Sequence, residues 1–540
     1  MTSTEPASDQ GTAVWLRRAF FFAVLAFVWW RFSENTADND LWGHVLYGQR
    51  MLHWHGLETT ETLSWTATGQ PWINHEVLAE VALGLGHRLA GSSGLWSMMI
   101  ILAALTLGLA WQAGAGPDRN RRLVALGLLA LSTNFIAIGY SVRPQLFTFF
   151  FFVILLLVLR HIFAGRIRPW AFLPPLLLVV WTNTHGGFLA GWLVVMVAVA
   201  AEGLGAFLPG GLRRVRCEPF GADPLVLANV AAGSTLALVA NPWGWKLVAW
   251  TIATIRLPRP NIYEWQPMPL TPASAPFFFM LLLGALAWGL SRQSRRLWEM
   301  LVWVMLAVMT IQHQRHAPLF GLASLVFLPV HVQDLLTRLT THTESLRATA
   351  RRPVIAVLGA LALLLAGTWC LQINRSTSRQ YPFHMEVPRS LFPVNAIEYM
   401  KAHQFTGNTI TFFDWGQQML WELPDNPVSF DGRLDTVYPP DVMDAHWRLY
   451  AGQDPGPALP LNLARYALLP SSSRGVDVLL AQGWSVAYYD PLAAVLVRQF
   501  PANLKIPEPA EGGRAAATGS VLFPDAPPVL ATRASAVAQP

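Results

Sequence analysis

Long apolar runs constrain this chain more than anything else in it. They recur between short polar breaks from residue 94 to residue 373, and several approach or pass the roughly 17–20 residues a helix needs to cross a bilayer. Lipid offers backbone groups no hydrogen-bond partner, so a spanning segment must satisfy them internally, as a helix does. With 53% apolar and 13% charged residues, the sequence predicts a polytopic α-helical membrane protein. The net charge of +6 does not point to nucleic acid, because the arginines gather in short loops between apolar runs. Cations so placed set topology.

About eleven spans are expected, near 14–32, 94–113, 122–140, 145–163, 170–184, 187–207, 223–241, 275–291, 297–313, 316–331 and 353–373. A cytoplasmic N-terminus puts five arginine clusters inside: Arg119, Arg121 and Arg122; Arg160, Arg166 and Arg168; Arg213, Arg214 and Arg216; Arg292, Arg295 and Arg296; and Arg347, Arg351 and Arg352. The intervening loops carry few cations, which is the asymmetry the positive-inside rule demands. The expected organisation is a cytoplasmic tail over 1–13, a transmembrane domain over 14–373 with a large first external loop at 34–93, an external α/β domain over 374–506, and a disordered tail over 507–540. Residues 41–55 and 75–89 read as interfacial amphipathic helices, and 243–255 as a short re-entrant helix. In the α/β domain, helices are expected over 394–403 and 415–423. Strands are expected over 409–413, 428–430, 476–480, 484–489 and 494–497. Cys217 and Cys370 fall on opposite sides in this topology, which excludes a disulfide between them, and two cysteines are too few for a cysteine metal site. The first apolar run lacks a small-residue cleavage site and is expected to remain as an anchor.

Acids and imidazoles concentrate in the first external loop. It opens with Asp38-Asn39-Asp40-Leu41-Trp42-Gly43-His44 and closes with Pro71-Trp72-Ile73-Asn74-His75-Glu76. Other polar clusters fall at the expected outer ends of spans: Arg143-Pro144, Asn183-Thr184-His185-Gly186-Gly187, Asn241-Pro242-Trp243-Gly244 and His313-Gln314-Arg315-His316. Polar groups at membrane depth are costly and mark a pathway or a site. Each also has a plainer reading. Asp38 and Asp40 sit where carboxylates cap a helix beginning at Leu41. His185-Gly186-Gly187 suits a tight bend, and Arg143 and Arg315 suit snorkelling at the interface. Arg433 either pairs with Asp431 or faces an acceptor.

The functional reading joins these groups. A carboxylate at a membrane surface can deprotonate an acceptor hydroxyl, or bind a divalent cation together with a neighbouring imidazole. Arginines at span ends can hold a lipid phosphate and stabilise it as a leaving group. In this reading Asp40 is the base, and Asp38 and His44 assist it or complete a metal site. His75 and Glu76 shape the acceptor site, Arg143 and Arg315 hold the phosphate, and Asn183 and His185 contribute to substrate binding.

The pattern of an acidic first external loop, two interfacial helices, some ten further spans and a C-terminal external domain resembles the GT-C superfamily of membrane glycosyltransferases. Protein mannosyltransferases, the aminoarabinose transferase and the oligosaccharyltransferase catalytic subunit belong to it. Asp38-x-Asp40-Leu-Trp-x-His44, Pro71-Trp-x-x-His75-Glu76, Trp181-x-Asn183-x-His185-Gly186-Gly187-Phe188, Asp414-Trp415-Gly416 and Phe430-Asp431-Gly432-Arg433 are similar to segments of a bacterial family of GT-C-like membrane proteins. That family commonly continues Asp-Trp with Gly-Gly-Tyr, where this sequence has Gly416-Gln417-Gln418. The resemblance implies an inverting glycosyltransferase of the bacterial inner membrane with a periplasmic C-terminal domain. It would move a sugar from a polyprenyl-phosphate donor to an envelope acceptor, with an acid of the first loop, Asp40 before Asp38, as base or metal ligand. Two other readings use the same residues: a flippase for a lipid-linked glycan, and a non-catalytic envelope-assembly protein.

Overall fold

A computed structural model describes residues 7–164, 170–207, 224–255, 257, 259–341, 380–499 and 518–526. The span expected at 353–373, both cysteines and most of the expected tail lie outside the described residues. The protein is mostly helical, with seventeen α-helices among the described residues. It divides into two compact units. The first comprises 1–34, 100–140 and 145–377; the second comprises 35–99, 141–144 and 378–540.

The first unit is built of apolar helices. Gln145–Phe163 and Pro272–Leu290 are long and apolar enough to cross a bilayer, as is Val77–Ala115, whose later part belongs here. Gln314–Phe327 and Pro329–Leu339 qualify together but are bent by 58°. Pro329 supplies the reason, since its ring blocks continuation of the preceding helix. Helices Leu173–Thr182, Pro224–Ala237, Trp245–Ile255 and Leu297–Gln312 are apolar but shorter. The expected spans are therefore segments of unequal kind, some long, some short and one bent. Phe135, Phe277 and Phe320 pack with ring centroids 5.1–6.2 Å apart. A bidentate pair, Arg160 Nε and Nη2 to Glu299 at 2.8 and 3.2 Å, ties Gln145–Phe163 to Leu297–Gln312.

The second unit gathers the first loop and the C-terminal region, which the sequence reading placed in separate domains. Its sheet has strand order β2-β3-β5-β4, with β2 at Thr409–Thr411, β3 at Tyr466–Pro470, β4 at Ser485–Tyr489 and β5 at Ala493–Val497. β2 and β3 run parallel, and the other pairs are antiparallel. Two expectations fail here. Residues 476–480 lie in helix Arg474–Ala481, where the Ser473 side chain caps Gly475 N–H and Val476 and Leu479 face inward one turn apart. Residues 428–430 form only isolated bridges, Val428 meeting Ser64 and Thr409. A smaller sheet pairs β1 (Glu386–Pro388) with β6 (Ser520–Leu522), so the stretch 518–526 of the expected tail is structured. Phe523, fully buried, packs on Trp42 and Trp421, and Asp525 accepts a 2.7 Å bond from Ser92 N–H. That bond falls at the break in helix Val77–Ala115, where Ala90 and Gly91 leave helical geometry.

Candidate active site

Helix Leu41–Trp54 opens the second unit's polar centre, with Asp38-Asn39-Asp40 immediately before it. Asp40 occupies the N-cap position, but its side chain makes no capping bond. Asp38 takes the local role instead, its Oδ1 accepting Asp40 N–H at 3.0 Å. Capping therefore does not account for the Asp40 carboxylate. Arg143 spans both acids, with Nε bonded to Asp38 Oδ1 and Nη2 lying 3.2 Å from Asp40 Oδ2. Ser141 Oγ donates to Asp38 Oδ2 at 2.9 Å. Burial pushes the Asp40 carboxyl up to about 6; Asp38 and Asp414 reinforce the shift, while Arg143 and His44 oppose it. Burial also raises Asp414, which is hydrogen-bonded by Asn39.

The C-terminal region closes on this centre through two short segments. Gln417 Oε1 accepts Gly43 N–H at 3.2 Å, and so serves one of the unpaired donors of the first helical turn. Gly432 lies against Asp40: a Cβ there would fall 1.9 Å from Asp40 Oδ1 and 2.9 Å from Gln417 Nε2. The turn is anchored by Arg433, buried between Asp431 (Nη2–Oδ2 2.7 Å) and Glu61 (Nη2–Oε1 3.2 Å). Its guanidinium also lies 5.1 Å from the Trp72 ring centre and 5.4 Å from that of Tyr47. Of the two readings of Arg433, pairing is the one observed, and Glu61 is a partner that sequence reasoning missed.

One helical turn beyond Asp40, His44 meets the end of the loop. Its Nδ1 lies 3.4 Å from Glu80 Oε1 and 3.7 Å from Glu76 Oε2. Helices Leu41–Trp54 and Val77–Ala115 come this close because they cross at Gly48 and Gly84, where a Cβ on Gly48 would meet the Glu80 carbonyl at 1.9 Å. Asn74 orients both acids: Nδ2 donates to Glu80 Oε2 at 2.6 Å, and Oδ1 accepts Glu76 N–H at 2.9 Å. His75 Nε2 lies 3.8 Å from the other Glu76 oxygen. Burial pushes Glu76 up to about 7; His44 opposes this and Glu80 adds to it. Among the described residues, His44, Glu76 and Glu80 are placed to hold a cation together, whereas the sequence reading named Asp38, Asp40 and His44. Glu80 was missed although it lies four residues after Glu76, the spacing that puts two side chains on one helix face.

Asn183, His185 and Arg315 belong to the first unit. Asn183 Nδ2 donates to the carbonyls of Val179 and Ala240 at 2.8 and 2.7 Å. His185 Nδ1 accepts Gly187 N–H at 3.0 Å and lies 2.8 Å from Thr148 Oγ1. The His185 bond to Gly187 N–H is the one a tight bend would make. Arg315 and Arg259 each stand 4.2 Å from the ring centre of Trp265, and Arg315 Nη1 is 3.8 Å from Glu264.

No protein-family model matches the sequence, and no curated protein matches it. Solved structures do match. The chain is similar to the oligosaccharyltransferase of Archaeoglobus fulgidus in the apo form, with a TM-score of 0.53 and 12% identity over 84% of this chain and 69% of that one. It is similar to ArnT from Cupriavidus metallidurans in the apo state, with a TM-score of 0.51 and 14% identity over 93% of this chain and 100% of that one. At such identities the likeness concerns the fold. This protein has a GT-C-like fold.

Proposed function

We propose that the protein is an inverting membrane glycosyltransferase that takes its sugar from a polyprenyl-phosphate donor. The observation that carries this reading is the Asp40 carboxylate: it is half-buried, released from capping, and held between Arg143 and Gly432 on a GT-C-like scaffold. Asp40 removes the proton from the acceptor hydroxyl as that oxygen attacks the anomeric carbon. The new C–O bond forms while the bond from sugar to phosphate oxygen breaks, and the polyprenyl phosphate leaves with the electron pair. Arg143 opposes the rise that burial imposes on Asp40 and so favours the charged form that a base requires. The acceptor belongs to the cell envelope and the reaction to the external face of the bacterial inner membrane. This proposal rests on the second unit alone.

The test is sugar release from a panel of polyprenyl-phospho-sugars by the full chain in nanodiscs, beside Asp40→Asn. Turnover is expected from the wild type and a loss of about 100-fold or more in the variant. Because Asp40 titrates near 6, release should fall about tenfold per pH unit below that value. The sign for stability is opposite. A carboxyl raised from 3.8 to about 6 binds its proton more tightly folded than unfolded, so its ionisation weakens the fold as pH rises through that window. Asp40→Asn should therefore melt at or above the wild-type temperature at pH 7. Donor binding without turnover in either protein would leave a missing acceptor or a flippase, and no donor binding would favour the assembly protein.

A further inference from the structure

We propose that His44, Glu76 and Glu80 bind one zinc ion. The inference stands on their geometry and does not depend on the transfer reading. The three ligand atoms, His44 Nδ1 and one oxygen from each glutamate, lie within 4.8 Å of one another. A tetrahedral ion bonded at about 2.0–2.1 Å holds neighbouring ligands about 3.4 Å apart. An octahedral magnesium ion at the same bond length holds them about 3.0 Å apart. His44 Nδ1 stands 3.4 Å from Glu80 and 3.7 Å from Glu76, near the tetrahedral edge, with all three donors within 4.8 Å of one another.

The donor set agrees. One imidazole nitrogen with two carboxylate oxygens suits a borderline ion and leaves a fourth position open, as in catalytic zinc sites. His44 and Glu80 are 8% and 2% exposed and the Glu76 side chain 18%, so an imidazole and two carboxylates share a largely dry site.

The support behind the ligands is also that of a metal centre. Asn74 Nδ2 occupies Glu80 Oε2, leaving Oε1 directed at His44, while Asn74 Oδ1 fixes the backbone of Glu76. Such outer partners orient ligating carboxylates and tune affinity. The close crossing at Gly48 and Gly84 brings the ligands of the two helices together.

The experiment is zinc titration of the full-length chain in nanodiscs after chelator treatment, with bound metal counted by elemental analysis. One zinc per chain is expected in the wild type. Glu80→Gln and His44→Ala should each bind at least about tenfold more weakly, and Asn74→Ala about 10–100-fold more weakly. Glu398→Gln, an exposed acid paired with Arg389, should bind as the wild type does. Zinc should raise the melting temperature of the wild type and leave that of Glu80→Gln unchanged, which separates lost binding from a failure to fold. Cobalt in place of zinc should show the strong visible absorption of a four-coordinate ion in the wild type only. Substoichiometric zinc in the wild type, or equal affinity in Glu80→Gln, would overturn the assignment.

Discussion

Gly432 is the residue on which the catalytic reading bears most directly. Its bare Cα lets the Asp40 carboxylate approach to a distance that any side chain would occupy, since a Cβ would fall 1.9 Å from Oδ1. Gly432→Ala must therefore push the carboxylate aside or shift the turn that Arg433 anchors. A displacement near 1 Å from productive geometry costs about 100-fold in rate, and that is the expected loss of turnover, with donor affinity retained. In an Asp40→Asn background the same change should cost nothing more. An equal loss in both backgrounds would show that Gly432 supports the fold and not the base. Asp40 was legible from its place at the head of a helix in an acid-rich loop. Its dependence on Gly432 was not, because proximity between residues so distant in sequence leaves no local pattern. Glu80 was hidden differently: it is one acid in an otherwise apolar stretch, which reads as the edge of an interfacial helix.

Among the elements, the loop around Glu61 and the turn at Asp431-Gly432-Arg433 form a densely bonded junction. Glu61 accepts two backbone N–H groups, from Leu63 and Ser64, besides the Arg433 pair. Tyr438 Oη donates to Asp431 at 2.8 Å, so the buried charges are well satisfied. Removing Arg433 leaves the Asp431 and Glu61 carboxylates buried without their shared cation, which costs about 3–5 kcal/mol. Arg433→Ala should lower stability by that amount in denaturant melts of the detergent-solubilised protein. Breaking Lys401–Glu422, whose lysine is 43% exposed, should cost less than about 1 kcal/mol. The misread elements of this unit have a common cause. Val476-Asp477-Val478-Leu479-Leu480 is rich in β-formers, yet the cap at Ser473 and inward Val476 and Leu479 make it a helix. Strand β3 went unseen because its residues are buried on both faces and show no alternation.

At the scale of the whole molecule, the second unit is discontinuous in sequence, and its last described piece is a small one. Residues 518–526 supply β6, the buried Phe523 and the Asp525 bond at the helix break. A chain ending at 517 should melt at a lower temperature than the full chain. Phe523→Ala alone should cost about 3–5 kcal/mol, checked by the same melts. The apolar character of the chain was plain from composition, whereas the lengths of individual helices depend on local breaks such as Pro329. The same discontinuity bears on how the protein is made. Glu61 and Arg433 are 372 positions apart, and a ribosome adding about 5–20 residues per second needs roughly 20–70 seconds to pass from one to the other. Throughout that interval the acid-rich loop has been synthesised but its guanidinium partner has not. The junction can therefore close only late in synthesis, and until then the loop is a natural client for chaperones or proteases.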